Sequence, residues 1–317
     1  MYIFDQKYVE EHLTTDVCLK VMEEVLKEER QGTVTQYLRT AIPLPNTNIL
    51  GIMPGYADKG YFGAKILSVY HTNGGSGYPS HQGEILLFGK EHGEVLAIVD
   101  AMSVTKIRTG AVSAVASVQL ARKDAEKLAI LGCGAQGRSH LEAMSEAFAL
   151  KTVYTWDVCP EAAESLAEAV RKKGMEGISC DTVEEAVREA DIICTVTPSK
   201  TPILKGAWVK PGTHINAVGA CAPADRELDS DLSAQGHFFG DNIDSVLHES
   251  GDFLIPQKEG RYGEEHLAGV IGDVLLGRQK GRSDENEITI FEALGMAVED
   301  IACAIFLYEQ AKEAEAK

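Results

Sequence analysis

Short apolar runs separated by turn-forming clusters dominate the first hundred residues. The runs NILGIMPGY (48–56), YFGAKILSVY (61–70), EILLFG (84–89) and EVLAIVD (94–100) read as strands, punctuated by PLPNTN, MPGYADKG and HTNGGSGYPS. The gaps are too short for crossover helices, so the pattern predicts an antiparallel, meander-like sheet behind a helix-like opening. From Ser103 the pattern turns to SVTKIRTGAVSAVASVQLAR, small residues at helical spacing, which predicts a long helix leading out of this region.

Strands and helices alternate from Lys127 onward. KLAILG, KTVYTWD, DIICTVTP and THINAVGA read as strands, and RSHLEAMSEAF, PEAAESLAEAVRKK and TVEEAVREA as helices. That alternation predicts a parallel, doubly wound sheet. The last segment, TIFEALGMAVEDIACAIFLYEQAKEA (289–314), reads as one helix returning to the first domain. The expected fold is therefore α/β: a Rossmann-type domain over 123–297, and an α+β domain over 1–122 completed by 298–317.

With 317 residues, 44% of them hydrophobic, the chain is long enough for two such domains. A net charge of −18 disfavours nucleic acid and anionic membrane as partners and points to a small molecule. The seven cysteines are scattered without a CxxC or a Cys/His cluster, so neither zinc nor a disulfide framework is expected. No apolar run approaches the roughly 20 residues of a membrane span and the start lacks signal-peptide order, which reads as cytoplasmic.

The strand KLAILG runs into Gly132-Cys133-Gly134-Ala135-Gln136-Gly137, a complete GxGxxG followed at once by a helix. Such glycines permit a tight turn and close approach to a pyrophosphate facing the positive end of the helix. About twenty residues on, where the fingerprint expects an acid, the second strand ends at Asp157. A carboxylate there accepts from the adenosine ribose hydroxyls and repels a 2′-phosphate, which favours NAD over NADP; Arg138 and Lys151, close in sequence, weigh the other way. The bland alternative is that Asp157 caps the next helix. Thr195, Thr197, Val218, Gly219 and Ala220 sit at later strand ends, where ligands gather in such sheets.

A series of phrases, RTAIP, GIMPGY, AKILSVYHTN, PSHQGEILLF, IRTGAVSA, ILGCGAQ, HINAVGA, RELD, HESGD and EITIFEALGMAVEDIA, resembles the ornithine cyclodeaminase and mu-crystallin family along nearly the whole chain. The resemblance implies a Rossmann domain plus a substrate domain that also forms a homodimer, a nicotinamide cofactor, and α-amino or α-imino acid substrates. It implies that Arg39, Lys65 and Arg108 hold the substrate carboxylate, a role suited to a bidentate guanidinium and a point-charge ammonium. Lys65 also interrupts an apolar strand, so its charge needs solvent or a partner. The resemblance further implies His81, with Ser80, near the active site, Thr109 and Gln136 as cofactor phosphate contacts, Leu294 and Gly295 near the nicotinamide end, and Met53, Cys221 and Leu294 as pocket walls.

One position departs from the cyclodeaminases. They carry an aspartate after the strand matching HINAVGA, and here that place is Cys221, a neutral thiol. The resemblance therefore implies an NAD-dependent ketimine or cyclic-imine reductase, or an amino-acid dehydrogenase. A cyclodeaminase with recycled NAD and a non-enzymatic nucleotide-dependent binding protein are the alternatives. The substrate side chain is left open, since loops such as HTNGGSGYP would shape that part of the pocket.

Overall fold

The computed structural model describes residues 1–73 and 76–316; Gly74 and Gly75, in the HTNGGSGYP loop expected at the pocket, lie outside the described residues. The chain forms two compact units, Met1–Arg108 with Gly295–Lys317, and Thr109–Leu294. The border falls inside the long helix rather than after it, ahead of the expected break at 122/123.

The first unit contains β1 (Tyr2–Phe4), α1 (Gln6–His12), α2 (Thr15–Gln31), β2 (Val34–Gln36), β3 (Thr40–Pro43), β4 (Ile49–Ala57), β5 (Tyr61–Val69), β6 (His81–Gly89), β7 (Val95–Asp100) and the start of α3 (Ala101–Leu120). Its sheet runs β1-β7-β6-β5-β4-β2, with β3 also on β4. Strands β4 to β7 form the antiparallel meander read from the apolar runs, while β1 joins β7 in parallel. One cross-strand row reads Met53, Lys65, Ile85, Val99, so a lysine stands in an otherwise apolar row on the buried face.

The second unit contains β8 (Lys127–Leu131), α4 (Ala135–Ala147), β9 (Thr152–Trp156), α5 (Pro160–Lys172), β10 (Glu176–Ser179), α6 (Val183–Val187), β11 (Ile192–Thr195) and β12 (His214–Ala217). It continues with α7 (Ser230–Gln235), β13 (His237–Gly240), α8 (Ile243–Glu249), α9 (Gly251–Lys258), β14 (Leu267–Val270), α10 (Ile271–Leu275) and β15 (Thr289–Glu292). Its eight strands are all parallel, in the order β10-β9-β8-β11-β12-β15-β13-β14. Strands β11, β12 and β15 are buried at every position, as expected where helices cover both faces of a parallel sheet. The small residues of IRTGAVSA permit close helix packing: a Cβ on Gly110 would lie 2.6 Å from Ser139 Oγ on α4.

The stretch 289–314 is not one helix. Thr289, Ile290 and Phe291 are buried in β15 between β12 and β13, Gly295 takes φ +82°, and α11 runs only from Ala297 to Glu315. A β-branched apolar run followed by a left-handed glycine wins over helical spacing. Within the first unit α11 packs on α2, β4 and β5. Gly55 admits it: a Cβ there would lie 2.9 Å from Ile301 Cδ1, whereas one on its cross-strand partner Gly63 would lie 2.4 Å from the Leu86 carbonyl oxygen and 3.5 Å from Ile301.

Glu227, Asp252 and Glu292 are among the buried carboxyls of the second unit. Asp252 Oδ1 accepts from the backbone N–H groups of Glu227 at 2.9 Å and Leu228 at 2.7 Å, while Oδ2 has no partner among the described residues. Burial and then the charge of Glu227 push the Asp252 carboxyl up to about 8, with Arg226 opposing; Glu292 and Tyr262 also face this group. A carboxyl raised in the folded state keeps a proton that the unfolded chain releases, so its contribution to stability declines as pH rises from about 4 to about 8. Asp252→Asn retains the Oδ1 acceptor, and its urea midpoint should fall less than the parent's between about pH 5 and about pH 8. Parallel declines in both proteins would contradict a proton held on Asp252.

Candidate functional site

In the first unit, β5 delivers Lys65 to the buried face, 3% exposed, and α11 meets it with Asp300: Lys65 Nζ lies 2.6 Å from Asp300 Oδ2. Arg108, 5% exposed on α3, sets Nη1 2.8 Å from Glu299 Oε2 and Nε 3.4 Å from Asp300 Oδ1. Thr105, one turn before Arg108, lies 3.4 Å from Lys65 Nζ. Arg39 donates from Nη2 to the Gly295 carbonyl at 3.0 Å. A Cβ on Gly295 would lie 2.8 Å from both terminal nitrogens of Arg108, so this glycine is seated between the two arginines.

Burial pulls the Lys65 ammonium down to about 8; Asp300 opposes the shift, while the charges of Arg108 and Arg39 add to it. Arg39, Lys65 and Arg108 are thus gathered around Glu299 and Asp300. Two guanidinium groups and an ammonium collected in one place are a donor set suited to a carboxylate. Met53 stands directly beside Lys65 on β4 and is buried with it. His81 is not part of this group: it is exposed at the start of β6, its Nδ1 2.9 Å from Ser80 Oγ, and lies four residues, roughly 13 Å, along the strand from Ile85, the partner of Lys65.

In the second unit the Gly132–Gly137 turn joins β8 to α4. Gly132 has φ +104°, with no room for a side chain beside the Val196 carbonyl oxygen, 2.8 Å from the position a Cβ would take. A Cβ on Gly137 would lie 2.2 Å from the Gly132 carbonyl oxygen, whereas Gly134 faces open space. Gly134 is also the N-cap of α4, with no side-chain cap and no acid in the first turn. Open space before a helix N-terminus free of acids in its first turn suits a pyrophosphate. Ala135 opens the helix, and the Gln136 carbonyl accepts from His140 Nδ1 at 2.8 Å. His140 Nε2 lies 3.0 Å from Ser113 Oγ, one turn beyond Thr109, which links the middle of α3 to the first half of α4. Burial lowers the His140 imidazole to about 4, so it is neutral at pH 7.

Asp157 stands at the end of β9 against the glycine turn: Oδ2 accepts from Cys133 N at 2.7 Å and Oδ1 from Cys159 N at 2.9 Å. Cys159, not Asp157, is the N-cap of α5. Lys151 precedes β9, paired with Glu126 at 2.7 Å, and so lies at the opposite end of the strand; Arg138 donates to Ser165 Oγ at 2.9 Å. Thr195 is buried at the end of β11, with Thr197 two residues on. Val218, Gly219 and Ala220 follow β12, Cys221 is half-buried with its thiol 3.5 Å from the Val218 carbonyl, and Leu294 is buried after β15. Among the described residues no group of three or more His, Cys, Asp or Glu could hold a metal ion.

Two sets of acids escape the sequence reading. Glu299 and Asp300 lie in the phrase GMAVED, and Glu227 and Asp252 in RELD and HESGD; the phrases carry the signal, but nothing local marks these carboxyls as buried. The Lys65 geometry carries a pH dependence. The protonated amine is the form that binds an anion, and it is lost as pH rises through about 8. Affinity for a simple carboxylate such as propionate, measured calorimetrically, should weaken above that pH, and Lys65→Arg should move the decline to higher pH. An affinity level through this range would exclude Lys65 from the anion site.

Comparison with known proteins places the whole chain in one family. The model of the ornithine cyclodeaminase/mu-crystallin family matches residues 2–315. Ketimine reductase mu-crystallin of Mus musculus is 39% identical over 280 residues, 88% of this chain and 86% of the mouse protein. The solved Delta(1)-pyrroline-2-carboxylate reductase of Thermococcus litoralis, in complex with NADH and L-proline, superposes with a TM-score of 0.95 at 33% identity, over 99% of this chain and 98% of that one. An archaeal alanine dehydrogenase dimer with bound NAD superposes with a TM-score of 0.95 at 31% identity, over 99% and 97% of the two chains. Matched by the family model over nearly its whole length, the chain belongs to the ornithine cyclodeaminase/mu-crystallin family.

Proposed function

We propose that the protein is an NAD-dependent oxidoreductase that reduces small imino acids and, in reverse, oxidises amino acids. The observation that carries this reading is the cluster of Arg39, Lys65 and Arg108 on a chain that also holds a complete dinucleotide turn with Asp157 beside it. Arg39, Lys65 and Arg108 hold the substrate carboxylate, fixing the imine by an end that does not react. When bound at Gly132–Gly137, NADH supplies the hydride. Reduction of C=N also consumes a proton, and an ammonium lowered to about 8 holds one close to the working pH. Cys221, a thiol where cyclodeaminases carry aspartate, speaks against ring-closing deamination.

The first unit also supports a homodimer. Leu38, Ile42, Ile66 and Tyr70 are exposed on or beside its sheet, a surface suited to cover by a second copy. Sedimentation at micromolar concentration should give one species at twice the 34.3 kDa chain mass, and a stable monomer would remove this part of the reading.

Oxidation of NADH should be followed with Δ1-pyrroline-2-carboxylate and with 1-pyrroline, which lacks the carboxylate. The carboxylate-bearing imine should have the higher kcat/KM by roughly 30- to 1000-fold, the equivalent of about 2 to 4 kcal/mol for a charge-assisted contact. NADPH should serve less well than NADH, and Asp157→Asn should narrow that gap. A parent enzyme that prefers NADPH would overturn the role given to Asp157. Tight NADH binding without oxidation by any carboxylate-bearing imine would favour the non-enzymatic alternative.

A further inference from the structure

We infer that Glu227 is a positioning residue for the nicotinamide half of the cofactor, tying the segments that leave β11 and β12 into one surface. The inference rests on the reading of the second unit as an NAD-binding domain. In a doubly wound sheet with this strand order, each half binds one nucleotide across the switch point. Here the glycine turn after β8 and Asp157 after β9 belong to the adenosine half, which leaves the ends of β11 and β12 to the nicotinamide half.

Glu227 lies beneath those two ends and is completely buried. Its Oε1 accepts from Thr197 N at 2.8 Å and from Thr197 Oγ1 at 2.6 Å, and its Oε2 accepts from Gly219 N at 2.8 Å. Thr197 and Gly219 are themselves half-exposed, so the carboxylate supports a surface without belonging to it. The two segments are as close as backbone allows: a Cβ on Gly219 would lie 2.1 Å from the Thr197 carbonyl oxygen and 2.7 Å from Glu227 Oε2.

The side chain has little freedom to compensate, because its own backbone is held on both sides. The Glu227 N–H donates to Asp252 Oδ1 at 2.9 Å, and the Glu227 carbonyl accepts from Ile203 N at 2.8 Å and Leu204 N at 3.0 Å. A carboxylate alone has two acceptor oxygens for donors arriving from both segments. Glutamine keeps the volume but must turn an N–H₂ toward either Thr197 or Gly219, opposing donor to donor. The damage falls first on the surface under the nicotinamide nucleotide; the glycine turn touches it only through Gly132, beside Val196 and Thr197, and Asp157 keeps its bonds to Cys133 N and Cys159 N.

The test is a comparison of NADH with ADP-ribose, which lacks the nicotinamide ring. Binding of each to full-length parent, Glu227→Gln and Thr197→Val is measured by calorimetry. In Glu227→Gln the dissociation constant for ADP-ribose should stay within about twofold of the parent's while that for NADH rises roughly tenfold or more, the scale of one lost buried charge-assisted contact. Thr197→Val removes the hydroxyl that donates to Glu227 and accepts from Ser199 N, leaves the bond from Thr197 N in place, and should shift NADH in the same direction by a smaller factor, which keeps the inference testable should Glu227→Gln fail to fold. Unchanged NADH binding in both variants overturns it, and so does equal weakening of both ligands, the mark of a brace for the whole unit. A parent protein that binds neither ligand would remove the cofactor reading, and the inference with it.

Discussion

An ammonium group set in the middle of a buried sheet row must be neutralised by the protein itself. Lys65 occupies such a row, between Met53 and Ile85, and the architecture of the first unit follows from supplying its counter-charge. Asp300 must arrive from α11, and α11 can come close enough because Gly55 carries no side chain where it crosses. Asp300 then needs more than one cation, which Arg108 provides while it also engages Glu299. Removing one member of such a buried set strands its partner, at a cost of about 3 to 5 kcal/mol. The cluster is therefore rigid before any substrate arrives, and that rigidity is what an anion-holding site needs.

The second unit solves a related problem with opposite sign. Its buried acid Glu227 is met by backbone and hydroxyl donors instead of by cations; burial raises Glu227, Asp252 and Glu292 alike, and at Glu227 the donors from Thr197 and Gly219 oppose the shift. One unit thus buries cations against carboxylates, and the other buries an acid among backbone and hydroxyl donors. The glycine turn adds a stereochemical constraint, with Gly132 and Gly137 excluding any side chain and Gly134 leaving room for a ligand.

Much of this was legible in the sequence, for identifiable reasons. The meander strands are short and closely spaced, the alternation after Lys127 is regular, and GxGxxG followed by Asp157 is a local pattern with a mechanical meaning. Lys65 announced itself by interrupting an apolar strand. The acids did not: in a chain with forty-eight Asp and Glu, nothing local separates Glu299 or Glu227 from a solvated side chain, because their burial is created by elements distant in sequence. TIFE fits a helix as well as a strand because a four-residue run with two apolar positions suits either period, and the sheet position between β12 and β13 decides the matter. His81 belongs to a phrase characteristic of the family, yet strand geometry carries it away from Lys65.

The first unit is assembled from both ends of the chain, with Thr109–Leu294 intervening. On a ribosome, Lys65 and Arg108 emerge well before Glu299 and Asp300, whereas the second unit is one uninterrupted stretch. Domains generally fold as units during synthesis. The nascent meander therefore waits with two cations that cannot be buried until α11 leaves the exit tunnel, while the later-synthesised unit can close first. A segment made after the whole second unit thus completes the first, because it carries the counter-charge of Lys65.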